Sequence, residues 1–257
     1  MPVSFAHFLL ARGWIIRPGL ETGHPEKAAQ RYLETLEAVG YLMNGKRVLI
    51  FGYGGNFAVG CGLLSQGADH VILCDKYAQP DKERNRELVM LHPGYLTIAG
   101  GRVVPDPQFI TLIHDDIRLP TIQEHCGLVD IVLSSSVYEH LDDVDGITSA
   151  LRGLTRPGGI QLHWIDLRDH YFRYPFEMLR YSDKTWKNWL NPTSNLNRFR
   201  LQDYEHVFNK YFDRVETTPL NWDPAAFQRA RKAIRSEFLS GNDAIDSTTI
   251  LRVMAIR

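Results

Sequence analysis

Gly52-Tyr53-Gly54-Gly55-Asn56 and Asp75 can together hold a nucleoside. An apolar run at 48–51 feeds the glycines, and a second apolar run ends at Asp75, with Lys76 beside it. Glycines at 52, 54 and 55 let the backbone turn tightly and approach a ligand where a Cβ would collide. A carboxylate closing the second run can accept hydrogen bonds from ribose hydroxyls. A separate constellation, His163-Trp-Ile-Asp166-Leu-Arg168-Asp169-His170, is the densest polar stretch of the chain. It reads as a capped turn with an ion pair, as a substrate-facing base, or as a metal site. Its spacing matches no standard metal site, so no metal is expected. Glu139-His140 forms a third group, either shaping a pocket or acting chemically.

A dinucleotide site wants Gly-x-Gly-x-x-Gly, whose last glycine lets helix and strand pack closely. Counted from Gly52, that position is Phe57, and a bulky ring there argues against a pyrophosphate on the helix start. Further on, His114-Asp115-Asp116-Ile117-Arg118-Leu119-Pro120 follows a third apolar run at 109–113. A fourth run at 129–133 leads into Ser134-Ser-Ser-Val-Tyr138-Glu139-His140-Leu141. Arg156-Pro157-Gly158-Gly159 then opens a fifth at 160–165. Together these residues resemble the class I S-adenosylmethionine-dependent methyltransferases, over about residues 44–165 and again at the C-terminal strand.

The resemblance implies a role for each matching residue. Gly52 and Gly54, with Gly55 and Asn56, lie beside the methionine part of S-adenosylmethionine, and Asp75 meets the ribose. Asp115 accepts from the adenine amino group, with the Asp116–Ile117 backbone along the ring. Asp116-Ile-Arg also fits a family pattern; the spacing to Leu119-Pro120 favours Asp115. Ser134 and Ser135 fall at the cofactor's amino-acid end. The first motif departs from the family pattern, with Phe51 in place of a small or polar residue and Asn56 in place of the last glycine. The implied activity is methyl transfer to a small molecule, such as a sugar or specialised-metabolite hydroxyl or amine. Other chemistry on the same cofactor and a non-catalytic nucleoside-binding module are the alternatives. For a hydroxyl acceptor, His170 is the first choice of base and His163 the second, with Asp166 orienting one of them and His140 as a further candidate.

These residues need elements to hold them. Pro25 opens a helix with Glu26 in its first turn, favourable to the helix dipole, and Gly40 can end it. Strands are expected at Arg47–Phe51 and His70–Cys74, with a helix at 56–66 between them. Residues 83–91 read as helix, and 96–104 as a hairpin turning at Gly100-Gly101. Helices near 121–126 and 143–155 alternate with the third to fifth strands. Right-handed crossovers then give an α/β doubly wound, mostly parallel seven-stranded sheet, with ligands at the carboxyl ends of its strands. Helix is expected at 201–210 and 224–237, and strand at 212–216 and Thr248–Ile256. The single domain divides into an N-terminal helical extension (1–43), a cofactor-binding core (44–165), a substrate cap (166–200) and the rest of the core (201–257).

Residues 164–199, almost all of them in the cap, hold nine aromatic residues out of 28 in the chain, so the cap is expected to cover the site. Residues 1–23 and the cap are expected to order over the cofactor. Lys184, Lys187, Arg198 and Arg200 interleave with Trp186 and Trp189, a pattern that can hold single-stranded nucleic acid. With a net charge of −1, a solvated surface or an acidic small substrate is the better reading, and no nucleic-acid partner is expected. Three cysteines without Cys-x-x-Cys spacing read as buried free thiols of a reducing compartment. The first residues lack a charged leader, and Arg12 interrupts their apolar run, so a cytoplasmic protein without a membrane span is expected. A homodimer is compatible with the sequence.

Overall fold

The computed structural model describes residues 24–170, 174–192 and 194–257. Helix α1 (Pro25–Ala38) precedes strand β1 (Arg47–Phe51). Then come α2 (Ala58–Ser65), β2 (His70–Cys74), α3 (Lys82–Leu91) and the hairpin β3 (Leu96–Ala99) and β4 (Arg102–Pro105). β5 (Ile110–Ile113), α4 (Pro120–Cys126), β6 (Val129–Ser135), α5 (Val144–Leu154) and β7 (Thr155–Asp166) follow. After the cap come α6 (Leu201–Tyr211), β8 (Arg214–Trp222), α7 (Pro224–Ala230) and β9 (Thr248–Ile256).

Seven strands form one sheet in the order β5-β2-β1-β6-β7-β9-β8. β1 pairs in parallel with β2 and β6, and β9 runs antiparallel to both its neighbours. Strand order reverses at β1, so the carboxyl ends of β1 and β6 flank the crevice where such sheets bind ligands. The central strands are apolar on both faces because both are covered. Leu49 and Phe51 point into a core with α4, α5 and α6. Val48 and Ile50 point into another with α1 and α2. Cys61, Cys74 and Cys126 are buried free thiols within these cores. No helix among the described residues is long and apolar enough to cross a membrane.

Three expectations need correction. Helix α7 stops at Ala230 instead of continuing to 237. The chain turns there so that Ile234 enters a third apolar cluster and the Arg235 amide donates to the Leu179 carbonyl at 3.2 Å, a tertiary bond that overrides local propensity. β8 runs on to Trp222, well beyond 212–216.

The cap is also different in kind. Phe176, Met178, Leu179, Trp186 and Leu196 pack with Ala226, Phe227 and Ile234 into a satellite core. Trp186 Nε1 donates to the Leu196 carbonyl at 2.9 Å. Arg198, Arg200 and Trp186 are buried, so of the basic–aromatic run only Lys184, Lys187 and Trp189 reach the surface. Arg200 donates to the carbonyls of Leu167, Asp246 and Thr248 and ties the cap to β9. Arg198 donates to the Met178 and Tyr181 carbonyls and to Asp183. Tyr171 and Phe172, and the N-terminal segment 1–23 expected to act as a lid, lie outside the described residues.

Candidate active site

The glycine turn leaves β1 with Gly52, Gly54 and Gly55 all at positive φ, where side chains are disfavoured. A Cβ on Gly52 would lie 2.3 Å from Val137 Cγ2, and one on Gly55 would lie 2.2 Å from the Gln79 carbonyl oxygen. Gly55→Ala is therefore expected to destabilise the fold by at least about 2 kcal/mol, because backbone strain adds to a backbone collision. A melting temperature equal to wild type would contradict this turn geometry. Asn56 is buried, and its Oδ1 accepts from the Ala58 amide at 2.8 Å, capping α2. Phe57 is fully buried at the start of α2, in the place where a dinucleotide turn needs glycine.

Asp75 stands just past β2. Its Oδ2 accepts from the Gly54 amide at 3.1 Å, and its Oδ1 from the Tyr77 and Ala78 amides at 2.9 and 2.8 Å. An ionised carboxylate has about four acceptor positions, so one remains, on Oδ2. Beyond neighbouring β5, Asp115 and Asp116 differ sharply. Asp116 is held by Arg118 through Nε and Nη2 at 2.9 and 2.6 Å and by Lys76 at 3.0 Å. The Arg118 guanidinium keeps its carboxyl well below the usual range. Asp115 is exposed and accepts from the Asp116 amide at 2.7 Å. Ile117 is core.

At the end of β6 the two serines point to opposite faces. Ser134 is buried and bonds His163 Nδ1 at 2.7 Å, and His163 Nε2 bonds Gln161 Oε1 at 2.9 Å. Both ring nitrogens are thus occupied inside the core. His163, read from the sequence as a candidate base, is a structural residue, because β7 alternation points it with Gln161 and Ile165 into the α5–α6 side. Ser135 faces the α1 side, where it accepts from Arg31 Nη2 at 3.3 Å. The Arg31 guanidinium also lies 4.5 Å from the Trp164 ring centroid. Arg31 carries no local motif and was not singled out in the sequence.

Burial pushes the His163 imidazole down to about 3 from 6.5. The unfolded chain takes up this proton below pH 6.5, whereas the native state resists until about 3. Stability is full above about pH 6.5 and falls toward pH 3 by about 1.4 kcal/mol per unit from this group. His70 and His140, also lowered by burial, act in the same sense. His163→Gln is expected to flatten, not abolish, the fall of the urea midpoint between pH 6.5 and 4.5. An unchanged slope would mean that this imidazole is not neutral in the native state.

At the end of β7 the other polar residues meet. Arg168 donates to both Asp166 oxygens, with Nη2 to Oδ2 at 2.6 Å, and His170 Nε2 lies 3.4 Å from Oδ2. Burial alone would raise the Asp166 carboxyl, but Arg168 and His170 outweigh it and hold it well below its usual range. The His140 ring centroid is 5.3 Å from that of His170. His140 Nδ1 bonds the Asn195 carbonyl at 2.8 Å, so the turn Tyr138–His140 is pinned to the cap. Asn197 adds bonds from its amide to Glu139 O and from Nδ2 to Tyr138 O at 2.9 and 2.7 Å. The non-glycine residues at positive φ among those described, Ser136, Asn195 and Arg198, all lie at or beside this junction, and strained backbone gathers at functional sites. Glu139 is 3% exposed, neither carboxyl oxygen has a hydrogen-bond partner, and burial pushes its carboxyl well up. A cavity of about 410 Å³ opens alongside, lined by Arg168, Asp169, His170, Pro175 and Asp223. Among the described residues no group of three or more His, Cys, Asp or Glu is placed to hold a metal ion.

No protein-family model and no curated protein matches this sequence. Solved structures do match in shape. The magnesium protoporphyrin IX methyltransferase of Synechocystis PCC 6803, solved with S-adenosylhomocysteine, shares 13% identity at a TM-score of 0.50, over 100% of this chain and 95% of that one. A candidate sarcosine dimethylglycine methyltransferase from Galdieria sulphuraria shares 11% at 0.54, over 99% and 96%. This chain has the class I methyltransferase fold. Phosphoethanolamine N-methyltransferase 2 of Haemonchus contortus, solved with S-adenosylmethionine, shares the fold at 17% identity and 0.53, and this chain spans 56% of its length.

Proposed function

We propose that the protein is an S-adenosylmethionine-dependent methyltransferase acting on a small molecule. The observation that supports this is Asp75, which follows β2 and accepts from the Gly54 amide in the turn after β1, together with a cavity at His170 past the carboxyl end of β7. The donor set fits the cofactor. Asp75 Oδ2 keeps an acceptor position for a ribose hydroxyl, and Asp115, rather than the ion-paired Asp116, is open to an adenine amino group. Lys76 and Asp116 brace the edge of the adenine site, and the Asp116–Ile117 backbone lines it. At the other end, Arg31 beside Ser135 offers a guanidinium to the cofactor's carboxylate, and the Ser134 backbone follows it. The inward-turned Asn56 leaves that task to others.

Bound S-adenosylmethionine supplies an electrophilic methyl group. The chain lines up the acceptor with it, excludes water and, for a hydroxyl, removes a proton. His170 is the base, oriented by Asp166, which Arg168 keeps ionised. His140 shapes the wall behind it. The alternating acidic and basic lining of the cavity suits a polar small acceptor rather than a polymer.

The test is incubation with methyl-labelled S-adenosylmethionine and fractionated small metabolites. Label is expected in a small product, with S-adenosylhomocysteine formed in equal amount. Label retained on 5′-methylthioadenosine would point to attack at the aminocarboxypropyl carbon beside the sulfonium. Binding without any turnover would point to a nucleoside-binding module.

A further inference from the structure

The glycine turn does not hold its shape alone. Its carbonyl at Gly55 accepts from the Asp81 amide at 2.9 Å and from Asn85 Nδ2 at 2.8 Å. The Phe57 amide, at the start of α2, donates to Asn85 Oδ1 at 2.9 Å. Asn85 is 1% exposed and sits in the second turn of α3, an otherwise largely solvated helix. Its amide is spent wholly on backbone groups of the turn, one donor and one acceptor on either side of Asn56. Asp81, which caps α3 by accepting from the Glu83 and Arg84 amides, makes the third stitch. From the other side, Asp75 takes the Gly54 amide.

We infer that Asn85 is a positioning residue for the cofactor's methionine end. The inference rests on the cofactor reading above. The physical reason is the first-motif departure. A third glycine would let the turn pack against its helix closely; here Asn56 and Phe57 stand instead, and α2 starts with a buried aromatic ring. The turn needs an outside template, and a buried side-chain amide that satisfies both an N–H and a C=O provides one. No other residue type does this at the same length. Aspartate keeps the acceptor for Phe57 but sets a second oxygen against the Gly55 carbonyl; alanine and leucine leave both backbone groups without partners.

Asn85 bonds Gly55 and Phe57 and neither Asp75 nor Asp115, so its loss should fall chiefly on one part of the ligand. Titration calorimetry of wild type, Asn85→Ala and Asn85→Asp with S-adenosylhomocysteine and, separately, adenosine tests this. Both variants are expected to lose about tenfold or more in S-adenosylhomocysteine affinity, the equivalent of one to two unmade hydrogen bonds. Adenosine affinity should change by less than about twofold, because Asp75 and Asp115 are untouched. Equal losses for both ligands, or none for either, would overturn the positioning role. Failure of wild type to bind S-adenosylhomocysteine would instead overturn the cofactor reading itself. Hydrogen exchange on wild type avoids any folding defect of the variants: the Phe57 and Asp81 amides should be protected to the level of β1, and rapid exchange at both would overturn the inference.

Discussion

His170→Ala is expected to slow methyl transfer to a hydroxyl acceptor by about 10²–10⁴-fold, the usual worth of a positioned general base. The affinity for S-adenosylmethionine should stay nearly intact, because His170 lies at the end of β7, away from the glycine turn and Asp75. The expectation rests on three features. His170 Nε2 faces the Asp166 carboxylate at 3.4 Å, which orients the ring and leaves Nδ1 to take the proton. Arg168 keeps Asp166 ionised, so the carboxylate also stabilises the imidazolium that forms. The ring lines the cavity, whereas His163 is sealed in the core. Single-turnover rates with the acceptor identified by labelling provide the measurement. Asp166→Asn should give a smaller loss, since orientation and charge support fall but the base remains. A His170→Ala rate close to wild type would mean that alignment alone drives transfer.

Asp75→Ala is expected to weaken S-adenosylmethionine binding by about 2–3 kcal/mol, roughly 30- to 150-fold. More than the ribose contact is lost. The carboxylate takes amides from Gly54, Tyr77 and Ala78, so alanine also frees the loop between β2 and α3 from the glycine turn. Asp75→Asn separates the two contributions. Its oxygen can keep Tyr77 and Ala78, but its NH₂ then meets the Gly54 N–H head-on. Affinity should therefore fall with asparagine too, while the melting temperature falls less than with alanine. Calorimetry giving equal affinities for wild type and both variants would remove Asp75 from the site.

The strands that build the site were legible because each is a short apolar run with a chemical residue at its end. Arg47–Phe51 closes on Gly52 and His70–Cys74 on Asp75, with the bounds expected. The hairpin was legible from Gly100-Gly101, both at positive φ. What could not be read is set by tertiary contacts. Asn85 and Arg31 are single polar residues in helices, and nothing local distinguishes them from solvated neighbours. The aromatic density of the cap signalled burial, but a satellite core and a lid have the same composition. Asp115 and Asp116 are adjacent carboxylates whose separation depends on Arg118, placed by the turn into α4. The choice between His163 and His170 was nearer to hand: strand alternation puts His163 in step with Gln161 and Ile165, inside the sheet's covered face.

One measurement reaches the central claim most directly: calorimetric titration of the wild-type chain with S-adenosylhomocysteine and, in parallel, with NADH. The site described here predicts saturable one-to-one binding of S-adenosylhomocysteine, lost on changing Asp75, and no saturable binding of NADH, which Phe57 excludes from the turn. Saturable NADH binding, or no heat with S-adenosylhomocysteine, would contradict it.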